Sequence, residues 1–486
     1  MFALKIKKIE SKNLHFALLL LGCLISSVIY AYELPDLGEH SATILSTKEE
    51  KQLEKDFMKE VRSRMSILDD AIINDYIQNL GSKLASNIKN RKFTFFIVND
   101  PSINAFAGPG ANIGIHSGIF AATRSESELA AVLAHEIAHV SQHHIEHIIE
   151  RAKNTQITAT AGALAALIVG MVTGGSASNI ATGATMASMG GAAQHMISFS
   201  KDKENEADYI GMRTLYNSGF DPTAMPTFFE RMQHLTYDYN SKIPTFLSTH
   251  PTTNARIAES KNRASQYTQK QINNQYTYNL VHARLQAITF RSPATAVRYF
   301  QNQLTTNRQN DPTALQYGYA IALYQDRQLS QASNIINKLQ KKYPEEVLFQ
   351  IAAAQIAEAD KQNDKAISIL KTTLTNHPNY YPLFIQYGQT LLVAKQSQEA
   401  CYFLKSKTIQ HSEDAGLYLL LAQAYAQNSQ KADAYQARAK AYEIAGYPQQ
   451  AKVLLQQALK EPKLNPTEKS IIHARIEQLS NIEKNL

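Results

Sequence analysis

Apolar residues recur at helical spacing over residues 47–65 and 68–88, with Glu, Lys and Asp between them, so two amphipathic helices are predicted. From 93 to 98 the pattern tightens into a compact β-type run that Asn99-Asp100-Pro101 closes. Two apolar segments follow, at 103–107 and 111–118, around Gly108-Pro109-Gly110, which predicts a hairpin. Residues 128–145 read as one helix, almost wholly apolar from Leu129 to Val140. Residues 154–200 then carry no Asp, Glu, Lys or Arg, and 161–172 are continuously apolar but shorter than the ~20 residues a membrane span needs. A buried hairpin, a mobile lid rich in Gly, and a segment dipping into a membrane surface all fit this run; a lid or membrane-facing element is preferred over plain core. A further helix is predicted at 203–216, where Ala207, Ile210, Met212 and Leu215 supply the apolar positions.

Beyond about residue 270 the pattern becomes periodic. Leu315, Phe349, Leu383 and Leu417 are 34 residues apart, as are Ala320, Ala354, Gly388 and Ala422. Ala332, Ala366 and Ala400 share the interval, with Ile336, Leu370 and Leu404, and with Pro344 and Pro378. That is the tetratricopeptide period, two antiparallel helices per unit. Flanking helices at 275–305 and 431–459 would complete the stack, whose concave face suits binding another chain. Ser412 stands where the next proline is expected, so the fourth unit is expected to depart from the pattern.

Composition changes this picture little. The chain of 486 residues is too long for one ordinary core, and its hydrophobic fraction of 44% is that of a globular protein. Of the formal charge of +7, +3 lies in the first 31 residues, and the mild remainder argues against a nucleic-acid partner. Those residues place four lysines before an apolar run from Phe16 to Ile29, then Ala31, which reads as a cleavable export signal at 1–31. Leu20-Leu21-Gly22-Cys23 offers a lipid-attachment reading, against which the apolar run continues past the cysteine. Without Cys23 only Cys401 remains, so no internal disulfide is expected.

The chemistry concentrates in the helix at 128–145. His135, Glu136 and His139 spell H-E-x-x-H, and positions four apart share a helix face, so both imidazoles can reach one ion. Glu136 can reach an attacking water without replacing it, as a general base must. In an apolar helix such groups are costly unless used. His143 and His147 are also four apart but enclose no glutamate next to the first histidine; they read as supporting or surface residues, and His116 as packing or rim. A two-histidine zinc site takes a third ligand, often a carboxylate from a following helix. Glu204 is the choice, with Glu206 as fallback. Asp208, one turn on from Glu204, would orient a ligating histidine through its free ring N–H. His250, restrained by Pro251, either donates to the oxyanion or caps the fourth position of the ion. The hairpin ahead of the helix offers an edge to which a polypeptide could add as a strand, or it is purely structural.

H-E-I-A-H at 135–139, E-N-E-A-D at 204–208, and His250-Pro251 followed by Arg256, with the INAFAGPG hairpin, resemble zinc metalloproteases of the HtpX and CAAX prenyl endopeptidase superfamily. With the export signal and the repeats, the resemblance extends to its periplasmic members in Gram-negative bacteria. It implies that His135, His139 and Glu204 bind one Zn2+ per chain, that Glu136 activates water, and that Asp208 and Arg256 support the ligands. It implies that His250 stabilises the transition state or is a self-inhibiting fourth ligand, and that 154–200 covers the site, with peripheral membrane contact there. The implied substrates are unfolded or misassembled outer-membrane proteins, and the implied docking partner is the β-barrel assembly machinery. The expected fold is mainly α: a helical zinc metalloprotease domain with a small β element at 41–265, and an α-helical tetratricopeptide superhelix at 270–486. Two rivals are a chaperone or scaffold with a capped zinc site, and a membrane-embedded prenyl-type protease, for which no adequate span follows the signal.

Overall fold

The computed structural model describes residues 46–89, 91–154, 161–172, 200–237, 244–268, 275–306 and 311–485. The stretch read as an export signal, Cys23, the expected domain start at 41, and most of the uncharged run (155–160 and 173–199) lie outside them.

Helix α1 (Thr47–Arg64) begins with a capping box between Ser46 and Glu49. Helix α2 (Ala71–Leu84) starts three residues later than its apolar pattern, because Asp70 caps it and the Leu68 amide bonds to Ile97 in the sheet. The sheet has strands β1 (Thr94–Val98), β2 (Ala105–Gly108) and β3 (Asn112–His116) in the order β1-β3-β2; β1 runs parallel to β3, and β2 and β3 form the expected hairpin. β2 is an edge strand, yet all four of its residues are buried. Helices α1 and α6 (Ala161–Val172) pack beside it, Phe57 and Phe106 meeting edge to face at 6.4 Å. Leu164, Ala165, Ile168 and Val169 are buried in that contact. This part of the uncharged run is thus packed against protein, on α1 and beside the edge strand. No helix among the described residues is long and apolar enough to cross a membrane.

Between strand and metal-binding motif stands the short α3 (Ser117–Ala122). The helix predicted at 128–145 is two helices, α4 (Glu126–Ser141) and α5 (His144–Asn154). His143 takes a left-handed backbone (φ 56°) and its amide bonds to Val140, which ends α4 and turns the chain. Helices α7 (Lys201–Asn217), α8 (Ala224–Tyr237), α9 (Thr245–Thr249) and α10 (Asn254–Ala264) close around α4.

The repeats follow as antiparallel pairs: α11 (Gln275–Thr289) with α12 (Pro293–Thr306), α13 (Thr313–Gln325) with α14 (Leu329–Lys342), α15 (Val347–Ala359) with α16 (Asn363–Asn376), α17 (Tyr381–Val393) with α18 (Ser397–Gln410), and α19 (Ala415–Gln427) with α20 (Lys431–Ile444). Helices α21 (Pro448–Leu459) and α22 (Pro466–Asn485) end the stack. Ala320, Ala354, Gly388, Ala332, Ala366 and Ala400 are buried where helices meet, as the 34-residue register requires. A second register marks the turns: Arg327, Lys361, Lys395 and Ser429 are all left-handed (φ 60–63°). The glutamine after each bonds back to the carbonyl five residues earlier, closing the preceding helix. The register continues past Ser412, and Asp414 caps α19 as Glu346, 68 residues earlier, caps α15.

The repeats dock onto the catalytic part through α11. Its Arg284 is buried and bonds to both oxygens of Asp70, the cap of α2. Tyr278 and His282 of the same helix reach the carbonyls of Thr123 and Phe120.

Candidate active site

Helix α4 carries His135, Glu136 and His139 with its whole length buried except Ser141. Ser125 caps its start, and Glu128 in its first turn is gripped by Arg231 of α8, with Nη2 2.6 Å from Oε1. Helix α7 crosses it closely. A Cβ on Gly211 would lie 3.1 Å from the Ala134 carbonyl oxygen and the His135 nitrogen, so a side chain there would push the helices apart. That close approach brings Glu204 and Asp208, on one face of α7, against the imidazoles.

Four groups converge: His135, His139, Glu204 and His250, with donor atoms all within 4.8 Å of one another and every residue buried. The two histidine Nε2 atoms are 3.0 Å apart. Glu204 lies 3.6 Å from His135 Nε2 through Oε2 and 3.3 Å from His139 Nε2 through Oε1. His250 Nδ1 is 2.9 Å from Glu204 Oε1 and 3.3 Å from His135 Nε2. Ligands ~2 Å from a tetrahedral ion are separated by ~3.3 Å, so these edges fit one ion. Two ring nitrogens 3.0 Å apart cannot both present bare lone pairs to each other, so one carries a hydrogen or a metal lies between them. The donor set of imidazoles and carboxylate suits a divalent transition metal.

Glu136 is fully buried, with no side-chain hydrogen bond; its nearest ionic neighbour is His250 Nε2, 3.6 Å away. Burial pushes its carboxyl up from the usual range, the state of a base kept dry. Burial alone would lower His135, but Asp208 and Glu204 outweigh it and raise the ring to about 9. Burial likewise opposes ionisation of Glu204, and His250 with the other two imidazoles holds it well below the ordinary value.

The supporting shell is lopsided. Asp208 Oδ1 is 3.0 Å from His135 Nδ1, and the Arg256 guanidinium bonds to both Asp208 oxygens while its Nη1 lies 2.7 Å from Glu204 Oε2. Thus Asp208 and Arg256 are brought into the cluster. His139 is backed instead by His144, with the two Nδ1 atoms 2.8 Å apart, and His144 Nε2 lies 3.2 Å from Glu206. Glu206, the fallback ligand, is therefore spent on His144 and Lys203, because two residues along α7 turn it about 200° from Glu204. His144 escaped the sequence reading, which followed spacings of four. The signal that finds it is the break after Ser141, which returns residue 144 toward residue 139. His143 and His147 pair with Glu146 and Glu150, and His116 packs with Ser102; none joins the quartet.

Among known proteins, the model for peptidase family M48 matches residues 71–264. The β-barrel assembly-enhancing protease of Escherichia coli is 31% identical over 93% of this chain and 92% of its own. The putative one of Vibrio cholerae is 33% identical over 92% of each. The mitochondrial metalloendopeptidase OMA1 of Schizosaccharomyces pombe is 31% identical over 43% of this chain and 59% of its own.

Proposed function

We propose, for a chain that belongs to the β-barrel assembly-enhancing proteases of peptidase family M48, that it is an exported, zinc-dependent endopeptidase acting on misassembled outer-membrane β-barrel proteins and assisting their assembly. The observation that carries this reading is the buried quartet with edges of 2.9–3.6 Å and a single dry carboxylate, Glu136, beside it. We assign His135, His139 and Glu204 as ligands, Asp208 and Arg256 as their supports, and His250 as the group at the fourth corner. The ion, when bound, polarises the scissile carbonyl and makes water nucleophilic at neutral pH. Glu136 takes the proton of the attacking water and returns it to the leaving amine. Asp208 holds the His135 ring so that Nε2 faces the ion, and His144 does the same for His139. His250 leaves the fourth corner when substrate enters and then donates to the oxyanion.

We divide the chain into a catalytic domain at 41–265 and a repeat domain at 270–486, the latter docking protein partners such as the β-barrel assembly machinery. We place the mature chain in the periplasm on the character of residues 1–31, and any membrane contact in the uncharged run around α6. Glu136→Gln should keep its metal, measured by elemental analysis, and lose at least ~100-fold in cleavage of an unfolded β-barrel protein. Cleavage at the parental rate would refute the mechanism.

One observation favours a second reading, a scaffold with its site capped. His250 fills the fourth corner at 1% exposure, leaving no room for substrate in this arrangement. That reading expects Glu136→Gln to complement a deletion strain fully, while removal of residues 310–460 does not.

A further inference from the structure

Three inner helices of the repeat array carry the same pair of positions. Ile351, Ile385 and Leu419 are 34 residues apart, and four residues on, one turn along the same face, stand Gln355, Gln389 and Gln423. All six line one groove of about 460 Å³. In α17 every residue from Pro382 to Leu392 is buried except Gln389, so this glutamine alone is turned outward from a packed helix. Gln423 is exposed too, and among the described residues neither carboxamide receives or donates a hydrogen bond. Gln355 donates to Gln386 (2.7 Å), which leaves its own buried Oε1 without a partner. The charged groups lining the groove are Asp69, Asp70 and Arg284, and the last two neutralise each other.

We infer that this groove binds an extended, uncharged segment of polypeptide through its main chain, each ladder glutamine pairing with one peptide group. The inference rests on the reading of the repeats as the docking element and names what they hold. A primary carboxamide can accept from a main-chain N–H or donate to a main-chain carbonyl whatever side chain that residue carries, so the match is to backbone and not to sequence. Packed helices lie ~10 Å apart and an extended chain of the polyproline II type repeats every three residues at ~3.1 Å each, so successive glutamines meet every third residue on one side. The aliphatic position beside each glutamine covers the side chains between. A groove with almost no net charge disfavours charged side chains, which would be desolvated without a partner.

The test uses the full mature chain in the Glu136→Gln background, so that binding is read without cleavage. The probe is a fluorescein-labelled nonapeptide of alternating Val and Thr, followed by fluorescence anisotropy. Binding should weaken roughly three- to tenfold in Gln389→Ala or Gln423→Ala. It should weaken by about the product in the double variant, and likewise when every third amide of the probe is N-methylated, while a Thr/Ala sequence of equal length binds comparably. Both glutamines are exposed, so the variants keep the fold, which circular dichroism checks. Binding that ignores the glutamine substitutions and N-methylation overturns the ladder but leaves the docking reading standing. No binding of the probe overturns the ladder without touching the protease reading, which stands or falls on cleavage by the parental enzyme. Loss of self-association in the double variant, seen by sedimentation, would assign the groove to a second copy and overturn the proposal.

Discussion

Asp208→Asn is the sharpest probe of how the candidate site is held. Asp208 is 2% exposed and faces two side chains at once: Oδ1 lies 3.0 Å from His135 Nδ1 and 2.8 Å from Arg256 Nη2, and Oδ2 takes Arg256 Nε. An amide has one oxygen. With the oxygen kept at the Oδ1 position its NH2 faces Arg256 Nε–H; turned round, the NH2 faces both Nη2 and Nδ1. Either way a donor meets a guanidinium that is itself 4% exposed, and its balancing charge is gone. Removing one partner of such a buried pair costs about 3–5 kcal/mol. Arg256 then leans on Glu204 alone, 2.7 Å away, and competes with the ion for that carboxylate. Losing a support of this kind weakens metal binding by roughly 10–100-fold, or about 1.4–2.7 kcal/mol. A competition titration with a chromophoric chelator measures the affinity, and urea unfolding of metal-free protein measures the stability. The double variant Asp208→Asn with Arg256→Met should regain most of the stability, since no guanidinium is stranded, without regaining the affinity. Metal affinity within twofold of the parent in Asp208→Asn would refute the reasoning.

The same logic extends to the rest of the molecule. Arg284→Met should cost about 3 kcal/mol by stranding Asp70, and a cycle with Asp70→Asn should give a coupling of about 2 kcal/mol in urea unfolding; additive effects would mean the pair does not fasten the repeats. Gly211→Ala should cost about 1–2 kcal/mol and weaken metal binding severalfold, because α7 must retreat from α4 by a few tenths of an ångström; a variant with unchanged affinity would show that Glu204 does not depend on that approach. Asp75 is pushed up to about 6 by burial, partly offset by its bond from Asn79. An acid raised in the folded state favours folding at low pH, and that contribution is lost as pH rises through about 6. Asp75→Asn should therefore gain about 1 kcal/mol on the parent between about pH 4.5 and 7.5, after allowance for its partial exposure, whereas a constant difference would contradict the shift.

Much of this was legible before any coordinates. The helical registers hold because burial of one face is a local, periodic demand: Phe349 and Leu383 are buried where the 34-residue interval puts them. The H-E-x-x-H pair is readable for the same reason, since one turn of helix sets its geometry. What escaped depends on single backbone choices. A left-handed His143 splits one apolar pattern into two helices and aims His144 at His139, and no composition rule marks His143 for that role. The register of Arg327, Lys361, Lys395 and Ser429 was hidden because none is glycine; its trace is the glutamine that follows each. Glu206 differed from Glu204 only by facing, and two residues on a helix turn by about 200°.

The closed state of the site and the cover over the sheet meet at one edge. His250 ends the short α9, whose Phe246 amide bonds to the Ile103 carbonyl (3.0 Å) just before β2. The Phe246 ring lies 4.9 Å from His250 and 6.4 Å from His135. The cap is therefore anchored on the segment that leads into the edge strand, and it is the same strand that α6 packs beside. A polypeptide adding to β2 would meet α6 beside that strand and would load the segment that holds Phe246. The repeats touch the metal helix differently, through α2, which packs on α4 and receives α11 and α17 on its other side. Adjacency of that kind carries no coupling by itself; coupling needs an element with two arrangements. The proposed departure of His250 makes its turn the candidate for such an element, and the hydrogen bond beside it runs to the segment before β2 and not to α2. If His250 leaves the fourth corner as proposed, these contacts put the trigger at the sheet edge, and control from the repeats would have to act by delivering a chain to that edge.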